Sequence, residues 1–242
     1  QRNLAVSGRY TLVNKTDVFI DSIHVDHGSL MTEFSFSKPY ERVLEDTVYN
    51  YDIFQLMNPL APGDSIGFEF SIYNKANEWL RNNSPVLANG TFLNNGILPH
   101  IGYNSAGELL GNESREKFGL APRDRMPDAT DSLARMNNYI SYDADWIDFE
   151  TIVSTSVDQI AIAPGYLEKE WIEDDRRYFH YKMDSPILNF YSFISAQFEV
   201  EEDYWLRPNG DTVRIEVYHH PSHDFNVSRM IDGVKEALAY ST

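Results

Sequence analysis

The chain contains no cysteine, which excludes disulfide cross-links, thiolate-ligated zinc and a cysteine nucleophile together. Positive charge is scarce as well: 20 Lys and Arg stand against 37 Asp and Glu, for a formal net charge of -17. No Lys/Arg cluster interrupts that excess, so the phosphate-binding stripe of a nucleic-acid or anionic-lipid partner is missing. Solubility and mutual repulsion between copies account for most of such a charge. No apolar run approaches the roughly 20 residues of a membrane span, and Gln1-Arg2-Asn3-Leu4 has neither the basic nor the apolar region of a signal peptide. Any exporting or anchoring segment is therefore expected outside this chain, with no direct membrane insertion by the chain itself.

No serine-hydrolase site is expected. Gly63-Asp-Ser-Ile-Gly67 spells G-x-S-x-G but lies in a turn leading into a predicted strand rather than at a strand-to-helix elbow, and Gly102-Tyr-Asn-Ser-Ala-Gly107 has the wrong spacing. H-E-x-x-H and Gly-rich phosphate loops are absent. The carboxylate pairs Glu201 with Glu202 and Asp174 with Asp175 are expected in turns, where solvated charge is the usual explanation.

What is present is a core. With 242 residues, 42% hydrophobic and 14% aromatic, the chain can fill a sizeable interior. Period-two alternation predicts strands over Gly8 to Asn14, Val18 to Val25, Met31 to Phe36, Tyr51 to Leu56 and Ile66 to Tyr73. A one-residue slip between Ile20 and Ile23 reads as a bulge, and Leu60-Ala-Pro-Gly-Asp64 as a turn. Residues 74 to 143 are punctuated by Asn, Gly and Pro, with short helices expected over Ser114 to Phe118 and Thr130 to Asn137. Strands return over Trp146 to Ser154, Gln159 to Ala163, Tyr166 to Ile172, Arg177 to Met183, Leu188 to Val200 and Thr212 to Tyr218. Turns are expected at Pro164-Gly165, Glu173-Asp-Asp175 and Pro208-Asn-Gly-Asp211. After Asn226, a good helix N-cap, Val227, Met230, Ile231, Val234 and Leu238 share one helical face. That face must fold back on the strands or be covered by a neighbour. The expected class is mainly β, a saddle or sandwich of packed antiparallel sheets with a loop-rich insertion, short helices and one C-terminal helix.

His219, His220 and His223, with Asp224, invite a metal reading. The spacing speaks against it: neighbours on a strand point to opposite faces, Pro221 breaks the ladder, and a strand-to-helix corner explains the same residues. His24 and His27 beside Gly28, and His180 among strand aromatics, read as structural. Sequons occur at Asn14, Asn82, Asn89, Asn112 and Asn226, which matter only in a glycosylating host.

Several segments in this order resemble one family: Asn89-Gly-Thr-Phe92, Leu98-Pro-His-Ile-Gly-Tyr103, Ser154-Thr-Ser156, Asp158-Gln-Ile-Ala-Ile-Ala-Pro-Gly-Tyr166, Arg177-Tyr-Phe-His-Tyr-Lys-Met183, Pro186-Ile-Leu-Asn-Phe-Tyr-Ser-Phe193 and Tyr218-His-His-Pro-Ser-His-Asp-Phe-Asn226. They look like the amino-terminal β domain of aminopeptidase N-type zinc metallopeptidases, nearest the bacterial branch fused to a transporter-permease-like membrane region. The resemblance is good over residues 85 to 242 and extends to the first 80 only in pattern. It implies a β-saddle domain over 1–225 and a junction helix starting in 226–242. The partners implied are a downstream catalytic domain, which supplies the zinc, and a peptide substrate, with the peptidase portion on the periplasmic side. This chain would carry no catalytic residue, metal ligand or cofactor of its own. The loop from Asn89 to Tyr103 would form a rim facing the active site, with His100 and Tyr103 as its candidate substrate contacts. The alternative from another class is a β-sandwich binding module that holds glycans or a protein partner through exposed aromatics. An H-E-x-x-H in the sequence that follows would decide between them.

Overall fold

Alternating apolar and polar residues make two-faced strands, and the computed structural model builds nearly half of the chain from them. It describes residues 2–28, 31–76, 84–87, 90–103, 107–123, 126–132, 134–136 and 145–241. In chain order the strands are β1 (Leu4–Val13), β2 (Ile20–Asp26), β3 (Met31–Phe36), β4 (Tyr40–Asp46), β5 (Tyr51–Leu60), β6 (Ser65–Asn74), β7 (Thr91–Asn94), β8 (His100–Ile101) and β9 (Trp146–Ile147). There follow β10 (Glu150–Ser156), β11 (Ile160–Ile162), β12 (Tyr166–Glu173), β13 (Arg176–Lys182), β14 (Ile187–Leu188), β15 (Ser192–Ala196), β16 (Glu199–Leu206) and β17 (Thr212–His219). Helices α1 (Asn112–Lys117) and α2 (Val227–Ser241) complete the regular structure, with 3-10 turns at Asn95–Ile97 and Ala134–Met136. The fold is mainly β, with several antiparallel sheets and one C-terminal helix.

The chain forms two compact units. The first comprises Gln1–Pro85, Leu93–Asp148 and Ser185–Tyr191. Its sheets run in the orders β1-β6-β3 and β4-β5-β2-β8, with a short pair β14-β9. Phenylalanines from the two larger sheets meet in the middle: Phe36 lies 4.8 Å from Phe68 and 5.2 Å from Phe54, ring centre to ring centre. Val25, Phe54 and Phe68 are fully buried there. The expected bulge in β2 is present as a register shift between Ile20 and Ser22. The turn after β5 is closed by Asn14, whose backbone carbonyl accepts from Gly63 N at 2.8 Å.

The second unit comprises Val86–Phe92, Phe149–Asp184 and Ser192–Thr242. It contains the sheet β10-β13-β12 and the hairpin β16-β17. Phe179 and Tyr181 of β13 pack with Ala161 and Ala163, joined by Val153, Ile160 and Phe193. The β12–β13 hairpin turns on Asp174 and Asp175 at φ 48° and 58°, the paired left-handed geometry that matches strand twist. Asn226 holds the N-cap position of α2, its carbonyl accepting from Met230 N at 2.9 Å. Val227 and Ile231 then bury against Ile215, with Trp205, Val217 and Leu238 around them. Met230 and Val234 of the expected stripe are exposed.

Several expectations are corrected. Strand β4 is not legible in the sequence, because its Y-E-R-V-L-E-D carries charge on both faces. Strands β7 and β8 lie in the stretch expected as loops and short helices, and Glu201 and Glu202, expected in a turn, lie within β16. Trp146 to Ser154 is two strands in different sheets, and Leu188 to Val200 is parts of three. Tight backbone bonds break the latter: Phe190 N donates to Leu188 O at 2.6 Å, and Phe198 N to Ala196 O at 2.9 Å. Such three-residue turns need neither Gly nor Pro, so they leave no mark in an apolar run. The helix expected at Ser114 begins at Asn112, and the one expected over Thr130 to Asn137 is the 3-10 turn Ala134–Met136, with 133 and 137 outside the described residues.

Candidate functional site

Burial of Ile23 and Val25 in β2, and of Phe54 and Leu56 in β5, turns the alternate residues of both strands to the other side of the four-stranded sheet. That side carries Ser22, His24 and Asp26 beside Gln55, Ile53 and Tyr51, in register. Strand β8 adds His100 directly opposite Asp26, and Gly102 N donates to His24 O at 2.9 Å. His100, a sequence candidate, thus shares a face with His24, Asp26 and Tyr51. His24 Nδ1 lies 2.5 Å from Tyr51 Oη, so the histidine read as structural belongs to this patch.

Tyr103, the second candidate, stands just beyond Gly102, at φ 110°, and is exposed. Its hydroxyl donates to Glu108 Oε1 at 2.7 Å, and Arg115 Nη1 donates to Glu108 Oε2 at 3.0 Å. Arg115 Nε also binds Ala121 O at 2.7 Å, tying α1 to the segments on either side. The bond to Glu108 raises the Tyr103 phenol above its ordinary value. The same bond, and then Arg115, hold the Glu108 carboxyl below the usual range. Tyr51 is pushed up by burial first, then by Tyr103 and Asp26. The patch is thus a linked set of phenols, imidazoles and carboxylates, suited to hydrogen-bonding a polar or cationic group. The sequence reading missed Tyr51, Glu108 and Arg115. Tyr51 had a signal, its polar phase in the β5 alternation; Glu108, in the loop before α1, and Arg115, within α1, had none.

On the core side of the same sheet, Asp52 is 2% exposed, with its Oδ2 3.4 Å from His27 Nε2. Burial raises the Asp52 carboxyl, against the lowering influence of Arg42 and His27. In the second unit, His220 Nδ1 meets Ser222 Oγ at 2.8 Å, and the His220 and His223 rings lie 5.4 Å apart at the strand-to-helix corner. His180 Nε2 meets Glu150 Oε1 at 2.7 Å. Among the described residues, no group of three or more His, Asp or Glu has an arrangement that could hold a metal ion. Of the sequons, Asn14 is buried, Asn112 and Asn226 are exposed, and Asn82 and Asn89 lie outside the described residues, as does the start of the expected rim loop.

No protein-family profile matches the chain, and no curated protein matches it. Solved structures do match in fold. Legionella pneumophila aminopeptidase A in complex with aspartic acid aligns with 98% of this chain at TM-score 0.62 and 12% identity. The M1 zinc metallopeptidase of Deinococcus radiodurans aligns with 87% at TM-score 0.50 and 15% identity. A mutant of that enzyme aligns with 90% at TM-score 0.53 and 14% identity. The chain spans only 24% of the Legionella protein, and 42% and 44% of the two Deinococcus chains. Its architecture is therefore similar to that of a part of each of these proteins. At such identities the likeness is one of fold.

Proposed function

We propose that this chain is the amino-terminal β domain of an M1-type zinc aminopeptidase, non-catalytic in itself, which scaffolds and partly roofs an active site carried by a following domain. The carrying observation is the fold likeness, which takes in 98% of this chain but only 24% of the Legionella aminopeptidase, as a domain of a larger enzyme would. The patch of His24, Asp26, Tyr51 and His100, with Tyr103 held by Glu108 and Arg115, is the surface we assign to the rim. Its acceptors suit the charged end of a peptide. Zinc held by the following domain would polarise the scissile carbonyl and activate water. The reading extends to a bacterial membrane-bound parent with this domain on the periplasmic side.

The parent protein is expected to bind one zinc per polypeptide and to hydrolyse aminoacyl anilides, while the isolated 242-residue chain does neither. In the parent, Tyr103→Phe or Glu108→Gln should raise KM about tenfold with kcat nearly unchanged, the pattern of lost uniform binding. A parent without aminopeptidase activity, or an isolated chain that cleaves the anilide, would overturn the proposal.

A further inference from the structure

Among the described residues strand β1 is an edge, and its own sequence lacks the protection edges usually carry. In the order β1-β6-β3 it pairs on one side with β6, in unbroken register from Leu4↔Asn74 to Val13↔Ser65. Among the described residues no strand pairs with its other side. A bare strand edge offers a row of backbone donors and acceptors to any chain that can pair with it, and proteins blunt such edges with bulges, charge or proline. Three other edge strands are blunted: β3, β4 and β12 are each bulged, and the last two read Y-E-R-V-L-E-D and Y-L-E-K-E-W-I-E. By contrast β1 reads L-A-V-S-G-R-Y-T-L-V, regular throughout and with Arg9 as its single charge.

We propose that β1 pairs antiparallel with β1 of a second copy of this chain, about a two-fold axis at Gly8. The side-chain pattern selects a second copy as occupant. Leu4, Val6, Tyr10 and Leu12 form a half-buried row, and Ala5, Ser7, Arg9 and Thr11 an exposed one. Residues directly opposite in a ladder share a face, so the axis must pass through a residue rather than between two. Gly8 and Arg9 are the two centres that give the longest overlap. Centring on Arg9 sets the two guanidinium groups face to face, which is unfavourable. Centring on Gly8 sets Leu4 against Leu12, Val6 against Tyr10 and Arg9 against Ser7, apolar on apolar and charge on hydroxyl. The result is one continuous sheet, β3-β6-β1-β1-β6-β3.

Charge gives this pairing an unusual salt dependence. Each copy carries -17, so long-range repulsion opposes association and salt relieves it. Local charge acts the other way at position 7, which faces Arg9 of the other copy. Ser7→Lys places two cations opposite each other, and Ser7→Glu makes a cross-strand ion pair although it adds to the overall negative charge. Ser7 is exposed, so both variants leave the core intact.

Sedimentation equilibrium of the 242-residue chain tests this. The expected result is a monomer–dimer equilibrium that tightens as salt rises, loosens at least about tenfold in Ser7→Lys, and tightens in Ser7→Glu at low salt. Thr11→Lys, at another exposed position of the strand, provides an independent disruption. A chain that stays monomeric at all salt concentrations, or a dimer indifferent to all three substitutions, overturns the proposal.

Discussion

The ring of Phe70 lies across the backbone of Gly8, its strand partner, so closely that a Cβ on Gly8 would overlap Phe70 Cζ. Phe70 is buried and also packs 4.9 Å from Tyr10, so it has nowhere to retreat. Gly8→Ala should cost about 1–3 kcal/mol as an overpacked core contact. Urea unfolding will measure it, and Phe70→Leu in the same chain should return part of the loss. If Gly8→Ala matches the wild type, the close approach of ring and backbone is not a feature of the folded protein.

Asn14 holds two loops with one side chain. Its Nδ2 donates to Val18 O at 2.8 Å and Leu60 O at 2.9 Å, and its Oδ1 accepts from Thr16 N at 3.0 Å and Thr16 Oγ1 at 2.7 Å. Asn14→Ala strands the buried Leu60 carbonyl, at about 1–3 kcal/mol. Asn14→Asp should be worse, since it points a carboxylate oxygen at two carbonyl oxygens. A denaturant midpoint lowered in that order supports the assignment.

Asp52 makes stability depend on pH with a defined sign. Its carboxyl is raised by burial above the ordinary 3.8, so the folded state binds its proton more readily than the unfolded chain. Its contribution is complete below the ordinary carboxylate value and is lost as pH rises through the raised one. The stability of the wild type relative to Asp52→Asn should therefore fall as pH is raised through that window. Denaturant titrations of both proteins across the acidic range measure the difference, and a flat or rising difference contradicts the burial argument.

The two sides of α2 should respond differently to truncation. Ile231 is 5% exposed against Ile215, whereas Met230 is 54% exposed. Ile231→Ala should cost about 2–5 kcal/mol, and Met230→Ala at most about 0.5 kcal/mol. Thermal unfolding will separate them. Equal effects would mean that Met230 is covered in the protein as purified.

Much of the β architecture was legible because alternation is a local property of the backbone. The strand Met31–Phe36, the bulge in β2, the turn at Asp174 and Asp175, and the helix after Asn226 all follow from near neighbours in sequence. The breaks at Phe190 and Phe198 do not, because tight turns in an apolar run carry no residue signature. Nor does the split of the apolar stripe of α2, where Val227, Ile231 and Leu238 pack and Met230 and Val234 stay outside. Helical spacing tells which residues share a face but not how wide a strip of that face its partner covers.

The candidate patch divides in the same way. Tyr103 and His100 could be singled out only through the family resemblance, as residues of the rim loop that it implies. Their union with His24, Asp26 and Tyr51 required β8 to pair with β2, and β2 with β5, bringing together segments about 25 to 75 residues apart in the chain. Sequence alone determined that the segments of β2 and β5 would be extended and which side of each was polar, since both depend on backbone geometry within a few residues; His100–Ile101, expected in a loop, became a strand only by pairing. Which strand lay beside which was decided only by tertiary structure, because many pairings satisfy the same alternation and only the packing of a common core selects among them.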